Sequence, residues 1–229
     1  MRQIPLAIVL PGSVSFDTYH GDRNALAFAA VRQLAAGESR EPLYLFGTSG
    51  CGKSHLLQAA CNVVSQRGAR AFYLSFSDPK ALDPTILSEL ELLDFIALDD
   101  LQRIAGDEEW ERALFALFNA TSDTRTPLLF SAAANPGGLG IRLPDLVSRL
   151  SACTIYRLEE LTDQEKIRAL QAAAKQRGME LSEEVGGYLL TRTRRDMGSL
   201  LDTLDRLDQA SLEAQRRLTI PFVRGVLGS

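Results

Sequence analysis

Up to about Leu161 the apolar residues alternate between short continuous runs and stripes at helical spacing; beyond it only the stripes continue. Such runs predict strands buried on both faces, and such stripes predict amphipathic helices. Five runs stand out: Leu43–Phe46, Arg70–Phe76, Asp94–Asp100, Pro127–Ala132 and Cys153–Leu158. Between them lie predicted helices. Asp22 is placed to cap one running to about Ala36, with Ala25, Leu26, Phe28, Ala29, Val31 and Leu34 as its apolar face. Another follows the first run and ends near Gly68. A short helix interrupted around Pro84 is expected over residues 78–93, and one carrying Trp110, Leu114, Leu117 and Phe118 over 107–121. Residues 143–150 form a last short one, with Pro144 near its start. The alternation predicts an α/β fold with a parallel sheet covered by helices on both faces. From Thr162 onward helices are predicted over 162–177, 182–192 and 196 to about 216, and over 221–227, forming a small all-helical domain. Thr162-Asp-Gln-Glu165 has the spacing of a capping box.

Two predicted strands end in residues with chemistry of their own. The first leads into Gly47-Thr48-Ser49-Gly50-Cys51-Gly52-Lys53-Ser54, followed by His55, and fits G-x-x-x-x-G-K-[ST]. In that pattern the glycines let backbone N–H groups close around phosphate oxygens, and the following helix adds its positive end and unpaired amides. Lys53 would reach the β- and γ-phosphates, and the Ser54 hydroxyl would bind Mg²⁺. The bland reading is a Gly-rich strand-to-helix turn, but the strand before and helix after supply the context that phosphate binding requires. The third strand ends in Asp99-Asp100. Acids at the C-terminal edge of an α/β sheet sit where ligands bind. One carboxylate would hold Mg²⁺, usually through water, and its neighbour would orient or deprotonate an attacking water. Alone the pair could equally cap a turn; beside a phosphate loop it reads as the second half of a nucleotide site.

Composition narrows what such a site could serve. The chain has 229 residues, 45% hydrophobic, enough for one large domain or a medium one with a small companion. A net charge of −4 argues against a dedicated nucleic-acid binder and sequence-specific DNA contact. Cys51, Cys61 and Cys153 are an odd, widely spaced set that suits a reducing cytosol. No run reaches membrane-spanning length, and the short apolar run ending at Pro11 is too weakly charged for a signal peptide, so a cytoplasmic protein without membrane contact is expected. Prolines at 5 and 11 exclude a regular helix there. That segment could be an edge strand packed on the body or a free tail exposing Ile4, Leu6 and Ile8.

The order of phosphate loop, apolar strand with paired acids, another strand, an arginine after Leu143-Pro-Asp-Leu-Val-Ser148 and a helical lid resembles the AAA+ ATPases. Within them the chain is similar to the DnaA group, and most to its regulatory inactivators. The likeness spans essentially the whole chain. It is carried also by Phe16-Asp-Thr-Tyr-His-Gly-Asp-Arg-Asn24, Ile104-Ala-Gly-Asp-Glu-Glu-Trp110, Arg195-Asp-Met197 with the leucine-rich helix beyond, and Leu218-Thr-Ile-Pro-Phe-Val-Arg224.

The resemblance implies a P-loop AAA+ domain over 13–161 and a helical lid over 162–229, preceded by a clamp-binding segment over 1–12. It implies ADP or ATP with Mg²⁺, bordered at the adenine by Phe16, Tyr19 and Gly21. Arg149 would be an arginine finger acting in trans, and Arg195 a lid arginine reading the nucleotide, with Arg194 as the competitor for that role. Read alone, Arg149 is a helix-end arginine paired with Asp145, and Arg195 a surface arginine. Gln3-Ile-Pro-Leu-Ala-Ile8 is similar to the peptide Q-x-x-L-x-h that docks on the bacterial sliding clamp, with Gln3 at the rim and Leu6 and Ile8 in an apolar pocket. DnaA and the clamp are thus the implied partners, with self-association. One position departs from the family: where a polar residue, usually Asp, ends the fourth strand, this chain has Ala133, with Ser131 and Asn135 as the nearest substitutes. Its own ATPase is therefore expected to be weak or absent. The chain shows no segment like DnaA's basic helix-turn-helix or its N-terminal domain. The expected function is negative regulation of replication initiation, by stimulating ATP hydrolysis on DnaA. The alternatives are an autonomous ATPase or helicase loader, and a DnaA-related tether without that activity.

Overall fold

The computed structural model describes residues 14–214 and 216–228, so the clamp-like peptide with Gln3, Leu6 and Ile8 lies outside the described residues. Two compact units are present. Residues 24–48 and 52–159, with 14–16, make the first; residues 17–23, 49–51 and 160–228 make the second.

The first unit is a five-stranded parallel sheet with helices. Its strands are β1 (Leu43–Phe46), β2 (Ala71–Ser75), β3 (Phe95–Asp99), β4 (Leu128–Ala132) and β5 (Thr154–Arg157), in the order β2-β3-β4-β1-β5. Registers Phe46↔Ala132 and Ser75↔Asp99 align the C-terminal ends of the strands. Every residue of β3 and β4 is buried, because these central strands are covered on both faces. On one face Tyr44, Leu74, Ile96, Leu98 and Phe130 pack with α3 (Glu108–Thr124) and α4 (Pro144–Ser151) through Trp110, Leu114, Leu117, Leu146 and Leu150. Helix α2 (Lys53–Gln66) contacts β2, β3 and β4, and α1 (Ala25–Ala36) packs on α2.

Two predicted elements differ from the structure. Residues 78–93 are not a helix but three separate 3₁₀ turns, Pro79–Ala81, Pro84–Leu87 and Leu90–Leu92. Each proline sets a turn but removes a helical N–H, the Asp83 carboxylate takes the Thr85 amide at 2.8 Å, and Glu89 is left-handed at φ 63°. Asp22 does not cap α1, which starts at Ala25 after a 3₁₀ turn over Asp22–Asn24. The Asn24 amide is engaged elsewhere, accepting the Glu159 N–H at 2.8 Å and donating to its carbonyl at 3.1 Å.

The second unit packs α5 (Asp163–Gln176), α6 (Glu183–Arg192), α7 (Met197–Ala214) and α8 (Ile220–Leu227) around Leu170, Leu189, Leu200, Leu204, Leu207 and Val223. The capping box forms as the sequence predicts, with Thr162 and Glu165 each serving the other's amide. Among the described residues no helix is long and apolar enough to cross a membrane.

Candidate functional site

The phosphate-loop stretch is a turn from β1 into α2, and its backbone depends on glycine. Gly50 and Gly52 are left-handed at φ 79° and 96°, where a side chain would be strained. Gly52 is the N-cap of α2, so no side-chain cap serves the first turn, and no acidic residue lies in it. A fourteen-residue helix with its positive end left uncapped by side chains is suited to an anion. Lys53 is 8% exposed, and its ammonium donates to the Gly47 and Thr48 carbonyls at 2.8 Å each. Thr48, Ser49 and Ser54 are exposed, whereas Cys51 is buried. This donor set fits a polyphosphate: Lys53 and the loop amides would hold the phosphates, and Ser54 with Asp99 a Mg²⁺ ion. Among the described residues no cluster of three or more His, Cys, Asp or Glu is placed to hold a metal, so such an ion would depend on phosphate oxygens for the rest of its shell.

The His55 ring does not point along the loop but meets the Ser15 carbonyl at 2.8 Å, and Asn62 donates to the Val14 carbonyl at 2.7 Å. These two side chains fasten the segment leading to Phe16 along α2. Phe16 in turn meets Phe28 edge to face, centroids 5.5 Å apart. In the second unit Tyr19 lies over Gly21, where a Cβ would stand 2.7 Å from the phenol oxygen. A side chain at 21 would therefore displace the end of the Tyr19 ring.

The acids at the end of β3 are held by their neighbours in the sheet. Asp99 is 1% exposed. It accepts the Tyr73 hydroxyl from β2 at 2.8 Å on one oxygen and the Ser131 hydroxyl from β4 on the other. Burial, with the Asp99 charge, pushes the Tyr73 phenol up, so Tyr73 keeps its proton and acts as a donor. The Ser131 oxygen also accepts the Asp100 N–H at 3.2 Å. Asp100 is left-handed at φ 65°, and its carboxylate accepts Gln102 Nε2 at 2.8 Å. Gln102 Oε1 in turn accepts the Ala133 N–H at 2.9 Å. Of the two substitutes for a polar residue at 133, Ser131 therefore joins the acids. Asn135 does not, because its side chain accepts the Gly138 N–H at 2.9 Å. Strands β1 and β3 flank β4, so the phosphate loop and the acids leave the sheet at the same edge, one strand apart.

Arg149 is exposed on α4 and makes no ion pair among the described residues, so the pairing with Asp145 does not form. Leu146 and Leu150 anchor that short helix and are fully buried, with Arg149 at the flank of the face they form. Glu111 on α3 fixes the helix start: 2% exposed, it accepts the N–H groups of Gly106 at 2.6 Å, Arg142 at 3.0 Å and Leu143 at 2.8 Å. In the second unit Arg195 lies 3.8 Å from the Asp163 carboxylate, with both side chains more than half exposed, and Arg194 is exposed. An exposed pair of that kind holds its arginine weakly.

The sequence reading missed Glu111, Gln102 and Tyr73. Glu111 left a signal, an acid in helical register with Leu114 and Phe118 on an otherwise apolar stripe. Gln102 and Tyr73 left none, since the contacts that place them at the acids reach across the sheet, from Gln102 to Ala133 and from Tyr73 to Asp99.

The family model for the bacterial DnaA ATPase domain matches residues 10–156, and that for the Hda lid domain matches residues 163–227. An uncharacterized protein of Haemophilus influenzae is 42% identical over 229 residues, covering 99% of this chain and 98% of its own. Domain III of the replication initiation protein DnaA from Thermotoga maritima superposes with a TM-score of 0.82 at 21% identity, covering 96% of this chain and 97% of that one. AMPPCP-bound DnaA from Aquifex aeolicus gives 0.72 at 24%, covering 90% and 68%. At that identity the two structures bear on fold alone; the matched family models carry the assignment. The chain belongs to the DnaA-like AAA+ family, and within it to the Hda type.

Proposed function

We propose that this protein takes part in the control of chromosomal replication initiation as a negative regulator: a nucleotide-bound AAA+ module that docks on the DNA-loaded sliding clamp and stimulates ATP hydrolysis by DnaA. The observation that carries this reading is Arg149, exposed on a helix whose start is pinned by Glu111 and without an ion-pair partner among the described residues. An arginine satisfied within its own chain has no charge to lend; one held out on a rigid helix can stabilise the charge that develops on a neighbouring nucleotide. The nucleotide would be ADP or ATP with Mg²⁺, held by Gly47–Ser54 and the Asp99 edge. The AMPPCP held by the Aquifex DnaA supports an adenine nucleotide here. Phe16, Tyr19 and Gly21 would border the adenine, and Arg195 would serve from the lid.

The protein's own hydrolysis would be weak, because Ala133 offers only a methyl group at the edge where an attacking water has to be oriented. That favours a regulator over an autonomous motor or loader. Docking would use Gln3, Leu6 and Ile8, and a cytoplasmic location and self-association complete the reading. The test is phosphate release by ATP-bound DnaA with this protein, with and without clamp loaded on DNA. Stimulation that requires the clamp is expected. Binding to DnaA without stimulation would make the protein a tether, and strong hydrolysis without DnaA would make it a motor.

A further inference from the structure

We infer that Gln102 is a positioning residue of the nucleotide site, supplying at the edge of β4 the polar group that Ala133 lacks: one N–H holds Asp100 where it can orient a water, and the second is left to donate to the terminal phosphate of a bound triphosphate. The inference rests on the reading of Gly47–Ser54 and Asp99–Asp100 as a nucleotide site.

Three observations carry it. The first is the orientation of the amide. Because Gln102 Oε1 accepts the Ala133 N–H at 2.9 Å, the NH₂ must face Asp100, which it reaches at 2.8 Å. The side chain therefore bridges the acid and the backbone of the residue that is only a methyl. The second is capacity. An amide nitrogen carries two protons and a carboxylate two oxygens, and one of each is used in the bridge. Among the described residues neither group has a further hydrogen-bond partner, so one donor and one acceptor remain together at this edge. The third is rigidity. The Asp100 N–H is held by Ser131, Ser131 by Asp99, Asp99 by Tyr73, and Tyr73 by Gln58 of α2 at 3.2 Å. Gln102 thus ends a chain of hydrogen bonds that starts on the helix following the phosphate loop and crosses β2, β3 and β4. A diphosphate engages the loop and the start of α2; the third phosphate is what extends toward the acids. Removing Gln102 should therefore weaken a triphosphate selectively.

The experiment is calorimetric titration of the full chain with Mg-ADP and with Mg-AMPPCP. The unmodified protein should bind both, and Lys53→Ala should lose both. Gln102→Ala should bind AMPPCP about tenfold more weakly and ADP within about twofold, the worth of one hydrogen bond to a charged group. Gln102→Glu keeps the shape and the Ala133 contact but sets a second carboxylate against Asp100, so AMPPCP binding should fall at least as far. Adding Ala133→Asn to Gln102→Ala should restore most of the loss. Both affinities unchanged, or both weakened alike in Gln102→Ala and Gln102→Glu, overturns the inference and leaves the nucleotide site standing. Failure of the unmodified protein to bind either nucleotide overturns both.

Discussion

The Glu111 carboxylate accepts the Leu143 N–H at 2.8 Å, and this contact joins the first turn of the sheet-packed α3 to the start of α4. The same carboxylate takes the N–H groups of Gly106 and Arg142, so three backbone donors converge on one buried acid. Losing a charged acceptor strands three part-buried donors, and a donor left unpaired away from water costs about 1–3 kcal/mol. Glu111→Gln should destabilise the protein by about 2–4 kcal/mol, since one oxygen remains and an NH₂ now opposes an N–H. Urea unfolding measures it, and a loss below about 1 kcal/mol would mean that water satisfies those donors without Glu111.

What the sequence disclosed and what it hid divides along one physical line. The phosphate loop, the acids at the end of β3 and the Thr162–Glu165 cap are contacts between residues close in sequence, and each leaves a fixed spacing. The central strands were legible because strands covered on both faces must be apolar throughout, whereas the edge strand β5 is mostly exposed. Gln102 and Ala133 are 31 residues apart and meet only because β3 and β4 are neighbours, which no local pattern records. Residues 78–93 misled for a different reason. Ile86, Leu87, Leu90 and Leu93 suggest a helical stripe, and the same burial is reached by successive 3₁₀ turns once Pro79 and Pro84 interrupt the hydrogen-bond ladder.

Acid should weaken the second unit through Glu165. Burial pushes this carboxyl up, but hydrogen bonds from the Thr162 amide and hydroxyl, and from the amides of Asp22 and Arg23, outweigh it, and the net shift is below 4.5. A folded-state value below the unfolded one means the stabilisation is complete above about 4.5 and is lost as pH falls through the folded value. Protection of the α5 amides against hydrogen exchange should fall in that window. Glu165→Gln should lower protection by about 1 kcal/mol at neutral pH and flatten this part of the acid dependence. An unchanged acid slope would show that other carboxylates control it.

The proposed clamp docking can be tested by itself. Gln3→Ala with Leu6→Ala removes the two side chains that the proposed peptide would use, and should reduce clamp affinity by about a hundredfold, given two anchors of about 1–2 kcal/mol each. Nucleotide binding and thermal unfolding should not change. Equal clamp affinity in a titration would remove docking through this segment from the reading.

Arg149 is where the proposed function is most exposed to test. Its helix is short and anchored by the buried Leu146 and Leu150, with Arg149 exposed at the flank of that face, so the backbone is held whether or not the guanidinium is present. Arg149→Ala should therefore leave stability within about 0.5 kcal/mol, as for surface positions without a partner. Its own nucleotide affinity should also be unchanged. The rate of phosphate release by DnaA should fall toward the unstimulated value, a loss of about 10³ if the finger works as in other phosphoryl-transfer enzymes. Arg149→Lys should recover little, because a compact ammonium lacks the planar fork that spans two phosphate oxygens. The two substitutions together separate charge from geometry: full rescue by lysine would make the contribution a simple screening of charge, and partial rescue an oriented donor. If Arg149→Ala stimulates DnaA as well as the unmodified protein does, the contact in trans is made by another group, and the protein acts on DnaA by tethering alone.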